Sequence, residues 1–236
     1  MAVIPVIKQL ARDFADLAFP NMCLGCGTPL NDSEHFVCIG CLALLAPTGM
    51  HLTEPNEVTD LFMNKTIIEH GCSYFKYIKN GLLQRLIHDL KYRNQPDVGI
   101  LLGRTAAYGL KRSGIFNDVD CIVPVPLHPR KLKKRGYNQS EKIAVGMSQV
   151  LDIPIDTNVL IKTTYNETQT KKHRYERFLN SQNLFKAQIL PEHCNKHFLI
   201  VDDVLTTGST LESCINEMKK IPDAKVSVFT LARAIE

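Results

Sequence analysis

Phe198-Leu-Ile-Val-Asp-Asp-Val-Leu-Thr-Thr-Gly-Ser-Thr-Leu211 joins an apolar run to two adjacent carboxylates and then to a hydroxyl-rich turn with one glycine. Residues 198–201 have the character of a central strand in a parallel sheet, where both faces are covered and polar alternation is lost. Ligands of such sheets collect at the carboxyl ends of the strands, where Asp202 and Asp203 are expected. Two carboxylates there can accept hydrogen bonds from vicinal sugar hydroxyls. Thr206, Thr207, Gly208, Ser209 and Thr210 offer successive backbone N–H groups and hydroxyls where a helix is expected to begin, and a helix N-terminus attracts phosphate. A sugar carrying a phosphate fits both halves. The plainer reading is a strand followed by an N-capped helix, with the aspartates merely exposed on a turn.

The ordered combination of strand, acidic pair and Thr-Thr-Gly-Ser-Thr resembles the phosphoribosyl diphosphate (PRPP) binding motif of the type I phosphoribosyltransferases. Around it, periodicity predicts a strand in 67–77, a helix on the stripe Leu82, Leu83, Leu86, Ile87, Leu90, and a second helix over 96–111 that starts with a tolerated proline. A strand is expected in 120–126, its prolines marking where pairing stops, then a helix over 139–151 and strands in 159–163 and 225–232. Strands alternating with helices predict an α/β fold with a mostly parallel sheet. Residues 45–65 read as a linker, and 164–180 as a polar, basic segment too long for a tight turn. The expected division is 1–60 for an N-terminal unit and 61–236 for the α/β domain.

A chain of 236 residues, 44% hydrophobic and 22% charged, can bury a full core and matches neither a disordered protein nor a membrane bundle. Ile4, Ile7, Leu10, Phe14 and Leu17 fall near helical spacing, which predicts an amphipathic helix packed on the rest of the protein. Lys8, Arg12, Asp13 and Asp16 interrupt that segment before a membrane-spanning length is reached. With no export signal recognised, a cytoplasmic location is expected, where disulfides are disfavoured. The net charge of +4 is too mild to imply nucleic acid. Its distribution is more informative: Arg130, Lys131, Lys133, Lys134 and Arg135 form one cluster, and Lys171, Lys172, His173, Arg174 and Arg177 another.

Cys23-Leu-Gly-Cys26 and Cys38-Ile-Gly-Cys41 are two CxxC knuckles with eleven residues between them. Each knuckle can point two thiolates at one metal, and together they read as a zinc ribbon with a closed, structural tetrahedron. A redox pair and disulfides are the alternatives. Cys72, Cys121, Cys194 and Cys214 are isolated and expected as buried small hydrophobes.

The knuckles, the Leu90-Lys91-Tyr92 element, Val123-Pro-Val-Pro126 followed by Arg135-Gly-Tyr-Asn-Gln139, and Val201-Asp-Asp-Val-Leu-Thr-Thr-Gly-Ser-Thr210 together resemble the ComF family over nearly the whole chain. That family is similar to type I phosphoribosyltransferases in its C-terminal domain, and some members are linked to DNA uptake in competence. The resemblance implies that Asp202 and Asp203 hold the ribose hydroxyls and that Thr206, Thr207, Gly208, Ser209 and Thr210 cradle the 5-phosphate. It also places Leu127, His128, Pro129 and Arg130 at the diphosphate, with Arg135, Asn138 and Gln139 nearby; Gln139 could equally cap the following helix. Residues 164–177 would form a hood bringing Lys171, Lys172 or Arg174 to the leaving group. Mg²⁺ would accompany PRPP.

Two function classes follow. One is a Mg²⁺-dependent phosphoribosyltransferase with an unidentified acceptor. The other is a non-catalytic PRPP-binding or single-stranded-DNA-handling accessory protein that engages DNA or DNA-uptake proteins through its basic segments and zinc ribbon. At 7% aromatic residues, no stacking platform for bases is readable. No glutaminase domain with an N-terminal cysteine is visible at Met1-Ala2, which argues against glutamine as the nitrogen donor.

Overall fold

The computed structural model describes residues 20–163 and 184–234. Leu199 and Val201 of the signature strand pack into one apolar cluster, and Phe198 and Ile200 into another on the opposite face. That strand, β5 (His197–Leu205), is central in a four-stranded parallel sheet ordered β1-β6-β5-β2, with β1 Gly71–Phe75, β2 Cys121–Pro124 and β6 Lys225–Arg233. Burial on both faces explains the unbroken apolar run.

One face is covered by α3 (Leu82–Tyr92), α4 (Pro96–Ser113) and α6 (Gln139–Leu151), which bury Leu86, Leu90, Leu102, Ile143 and Met147. Helices α4 and α6 approach closely because each has a glycine at the contact. A Cβ on Gly103 would lie 2.2 Å from the Ile143 carbonyl oxygen, and one on Gly146 would lie 2.1 Å from that of Ile100. On the other face lie α2 (Glu57–Met63), α7 (Ser209–Met218) and the antiparallel pair of β3 (Leu160–Lys162) with β4 (Phe185–Ala187).

Several boundaries differ from expectation. The segment read as a linker contains α2, which Asn56 and Thr59 close with a reciprocal capping box and which buries Val58 and Phe62. The linker reading followed Pro47, Gly49 and Pro55, but two apolar residues at helical spacing outweigh them. Strand β5 continues beyond the aspartates, pairing Asp202 with Thr230 and Leu205 with Arg233, while its pairing with β2 stops at Pro124↔Val201. The strand expected in 159–163 is β3, in the small antiparallel sheet. The basic run after β2, to which the sequence assigns no element, forms a short helix, α5 (Pro129–Arg135). Cys72 and Cys214 are buried as expected, whereas Cys121 and Cys194 are only partly so.

The knuckle region packs on the main core instead of standing apart. Cys23, Val37 and Cys41 share the apolar cluster with Leu83 and Leu86, and α1 (Ile39–Ala43) begins inside the second knuckle. The expected N-terminal helix on Ile4 to Leu17 lies outside the described residues. Among the described residues, no helix is long and apolar enough to cross a membrane.

Candidate sugar-phosphate site and cysteine cluster

Pairing on the β2 side ends one residue before Asp202, because the chain turns at Val125-Pro126 after Val125 donates to the Val201 carbonyl at 2.9 Å. This leaves the acidic pair at an open corner of the sheet. Asp202 Oδ1 accepts from the Ser140 hydroxyl at 2.8 Å and from the Asp203 backbone N–H at 2.9 Å. Asp203 is 5% exposed; its Oδ1 lies 2.8 Å from the Lys91 ammonium, and its buried Oδ2 has no hydrogen-bond partner among the described residues. Desolvation first, and the Asp203 carboxylate second, push the Asp202 carboxyl up to about 7, against the pull of the Ser140 hydroxyl and Lys91.

After β5 the turn is exposed at Thr206 and Thr207, and then Gly208 caps α7 at φ 80°. Left-handed backbone at that point suits glycine, and a Cβ would also press within 3.1 Å of Leu61 on α2. Ser209 and Thr210 open the helix, which has no side-chain cap, and its first-turn N–H groups lack intrahelical partners. The loop is held from outside by Lys65, which donates to the Thr207 carbonyl at 3.2 Å, and from within by the Thr207 hydroxyl donating to Ser209 Oγ at 3.2 Å.

His128 accepts the Arg130 N–H through Nδ1 at 3.2 Å and so caps α5, which carries Arg130, Lys131, Lys133, Lys134 and Arg135 on a largely exposed surface. Asn138, not Gln139, caps α6: its Oδ1 accepts from Ser140 N–H at 3.1 Å while its amide donates to the Val125 carbonyl at 3.0 Å. Gln139 instead accepts from Arg135. One asparagine thereby fixes Ser140 against the end of β2 and aims its hydroxyl at Asp202. Lys171, Lys172 and Arg174 lie outside the described residues.

Lys91 and Ser140 are contacts that reading the acidic motif alone misses. Lys91 was marked only as part of Leu90-Lys91-Tyr92. Ser140 had no signal beyond following the Arg135–Gln139 element. Lys162, half-buried on β3, also lies near this corner: desolvation lowers its pKa, with Cys214 and Asp202 pulling it back up.

The four knuckle cysteines converge at the other end of the chain. The Sγ atoms of Cys23, Cys26, Cys38 and Cys41 all lie within 4.8 Å of one another. Cys23 Sγ accepts from Gly25 N–H at 3.3 Å and Cys38 N–H at 3.2 Å, and Cys38 Sγ accepts from Cys41 N–H at 3.4 Å. Burial would raise the Cys23 thiol, but these backbone donors outweigh it and bring it down to about 6; burial and the neighbouring thiols push Cys41 up to about 12. Four thiols at this spacing, with N–H groups arranged for thiolates, could bind one metal ion.

A parallel sheet flanked by helices, with the acidic pair near the carboxyl end of a central strand and a helix start after it, defines a type I phosphoribosyltransferase-like domain. Residues 138–236 match the phosphoribosyl transferase domain model. The chain is 32% identical over 156 residues to competence protein F of Haemophilus influenzae, covering 64% of this chain and 68% of that protein. It is 30% identical to DNA utilization protein YhgH of Escherichia coli K12 over 65% of this chain and 68% of the relative, and 28% identical to competence protein ComFC of Bacillus subtilis over 91% and 78%. The chain belongs to the ComF family, that of competence protein F, ComFC and YhgH. Among solved structures, a purine phosphoribosyltransferase from Pyrococcus horikoshii matches 57% of this chain and 81% of its own at 21% identity and a TM-score of 0.36.

Proposed function

We propose that this protein binds Mg²⁺·PRPP at the carboxyl end of β5 and transfers ribose 5-phosphate to an acceptor, releasing diphosphate. The observation that carries the reading is the buried Asp203 Oδ2, without a hydrogen-bond partner among the described residues, on the strand that leads into the helix start at Gly208. Leaving such an oxygen unpaired costs about 1–3 kcal/mol, which a ribose hydroxyl would offset. In this reading Asp202 and Asp203 accept from the ribose hydroxyls, and Thr206, Thr207, Gly208, Ser209 and Thr210 cradle the 5-phosphate. His128, Arg130 and Arg135 serve the diphosphate side, joined there by Lys171, Lys172 and Arg174. Mg²⁺ arrives with PRPP as part of the substrate and keeps several waters. Cations then offset the charge that grows on diphosphate as the bond to C1 of ribose breaks.

The cysteine cluster serves in the same reading as a structural zinc site in a zinc-bearing N-terminal part, expected over 1–60, that packs on the phosphoribosyltransferase-like domain, expected over 61–236, with α2 spanning that boundary. Metal analysis of protein purified without chelator is expected to give one zinc per chain. Absence of metal, or unchanged stability in Cys23→Ser with Cys26→Ser, would contradict the zinc assignment.

Diphosphate release from Mg²⁺·PRPP, followed across ammonia and nucleobase acceptors, tests the transferase. Acceptor-dependent release that is lost in Asp202→Asn with Asp203→Asn supports transfer. PRPP binding without release under every acceptor would leave a binding protein. A second reading, DNA handling, draws on the exposed basic helix α5 and on relatives named for competence and DNA utilization. It predicts a single-stranded-DNA affinity that falls steeply with salt and is indifferent to Asp202→Asn; no binding at low salt would refute it.

A further inference from the structure

Lys91 lies in the last turn of α3 with its side chain 24% exposed, and its ammonium contacts Asp203 at 2.8 Å. The residues on either side of it are tied elsewhere. The Tyr137 hydroxyl donates to the Leu90 carbonyl, and the Arg135 guanidinium stands 5.8 Å from the Tyr92 ring centre while also donating to Gln139. Tyr137 lies in the turn between α5 and α6 and Arg135 ends α5, and Asn138 binds this junction to the chain just past β2. Three consecutive residues of α3 therefore touch, in order, the turn on the diphosphate side, the carboxylate on the ribose side and the diphosphate-side turn again. Neutralising Asp203 would need only a lysine within reach. The ties to Leu90 and Tyr92 go further, because they fix where that lysine stands.

The geometry points to Lys91 as a positioning residue that holds the Asp203 carboxylate ready for the ribose and takes its own position from the Arg135–Gln139 turn, so that the two halves of the pocket are mechanically joined. This rests on the phosphoribosyl reading above. An ammonium bonded to Oδ1 fixes the rotamer that leaves Oδ2 for a ligand hydroxyl. Movement of the 135–139 turn as diphosphate engages α5 is transmitted to Asp203 through one helical turn.

Among the described residues, the charged and polar groups facing the acidic pair are few. Lys91 approaches from α3, Lys162 from β3, the Ser140 hydroxyl from α6 and the buried Cys214 thiol from α7, while Asp202 and Asp203 face each other on β5. Loss of Lys91 leaves Lys162 as the remaining cation of this set. Because Lys91 helps keep Asp202 ionised, its removal moves proton uptake at the pair to higher pH, and ligand binding that needs both carboxylates anionic moves with it.

Calorimetric titration of Mg²⁺·PRPP from about pH 6 to 9 into wild type, Lys91→Met, Lys91→Arg and Tyr137→Phe tests the inference, with folding of each checked by circular dichroism. Lys91→Met is expected to bind roughly 10- to 100-fold more weakly and to need a higher pH, with Lys91→Arg recovering most of the loss. Tyr137→Phe, which removes no charge from the pocket, is expected to weaken binding several-fold without moving the pH midpoint. Wild-type affinity and pH profile in Lys91→Met would overturn the inference and leave the pocket reading intact; absence of binding by wild type would overturn both. Should Lys91→Met not fold, unchanged affinity in Tyr137→Phe still overturns the coupling.

Discussion

At the amino end of β5, His197 is 3% exposed, with its N–H donating to Asp120 at 2.8 Å, its Nε2 at 2.8 Å from Ser227 Oγ, and its Nδ1 at 3.1 Å from an Asp118 oxygen. At the carboxyl end, Asp203 is 5% exposed, and one of its two oxygens faces Lys91 while the other has no hydrogen-bond donor among the described residues. Burial is similar, and neither His197 Nδ1 nor Asp203 Oδ2 makes a hydrogen bond among the described residues, but Nδ1 has the Asp118 carboxylate at 3.1 Å, whereas the ion pair of Asp203 runs through Oδ1 and leaves Oδ2 without a counterpart. A buried polar group satisfied internally contributes to folding; one left over is a cost the free protein carries until a ligand arrives. The two ends also answer pH in opposite ways. Burial alone would raise the Asp118 carboxyl, but His197 beside it holds it below its usual value, so that pair adds stability above the ordinary aspartate range and loses it on acidification. Asp202, raised to about 7, does the reverse: its contribution is full below the unfolded value of 3.8 and is lost as pH rises through about 7.

The largest expected effect breaks that symmetry directly. Asp202→Asn should remove up to about 4 kcal/mol of pH-dependent destabilisation between pH 4 and 7, read by urea unfolding across that range. A slope identical to wild type would contradict the crowded acidic pair. Next, His197→Ala should cost about 2–3 kcal/mol through lost packing and the lost hydrogen bond to Ser227 Oγ, which keeps the His70 N–H, with Mg²⁺·PRPP affinity unchanged. A variant that lost binding while keeping its stability would reverse the roles assigned to the two ends. Gly208→Ala should cost about 1–2 kcal/mol, from its left-handed backbone and from contact with Leu61, and should weaken binding of the 5-phosphate measured with ribose 5-phosphate. The smallest effect is expected for Ser140→Ala, about 1 kcal/mol, with binding shifted to higher pH because Asp202 loses a donor.

Much of the fold is legible in local pattern. The apolar stripe of α3 and the span 139–151 of α6 follow helical spacing, and residues 198–201 read as central because they are apolar on both faces. Helix α2 is hidden by the turn-forming residues around it, and its Asn56–Thr59 capping box and the packing of Val58 and Phe62 on the sheet together make it a helix. The acidic pair and phosphate turn are contiguous in sequence and so were visible. Lys91 is 112 positions from Asp203, and Ser140 is 62 from Asp202, separations that no local period records. Asn138 and Gln139 show the same limit: which of two adjacent amides caps α6 depended on where the end of β2 falls.

The most direct test of the account is calorimetric titration of Mg²⁺·PRPP into wild type and into Asp202→Asn with Asp203→Asn, both verified as folded. The account predicts saturable binding by wild type and at least a roughly 100-fold loss in the variant, since two charge-assisted acceptors are removed. Equal affinity in the two proteins, or no binding by wild type, would contradict it.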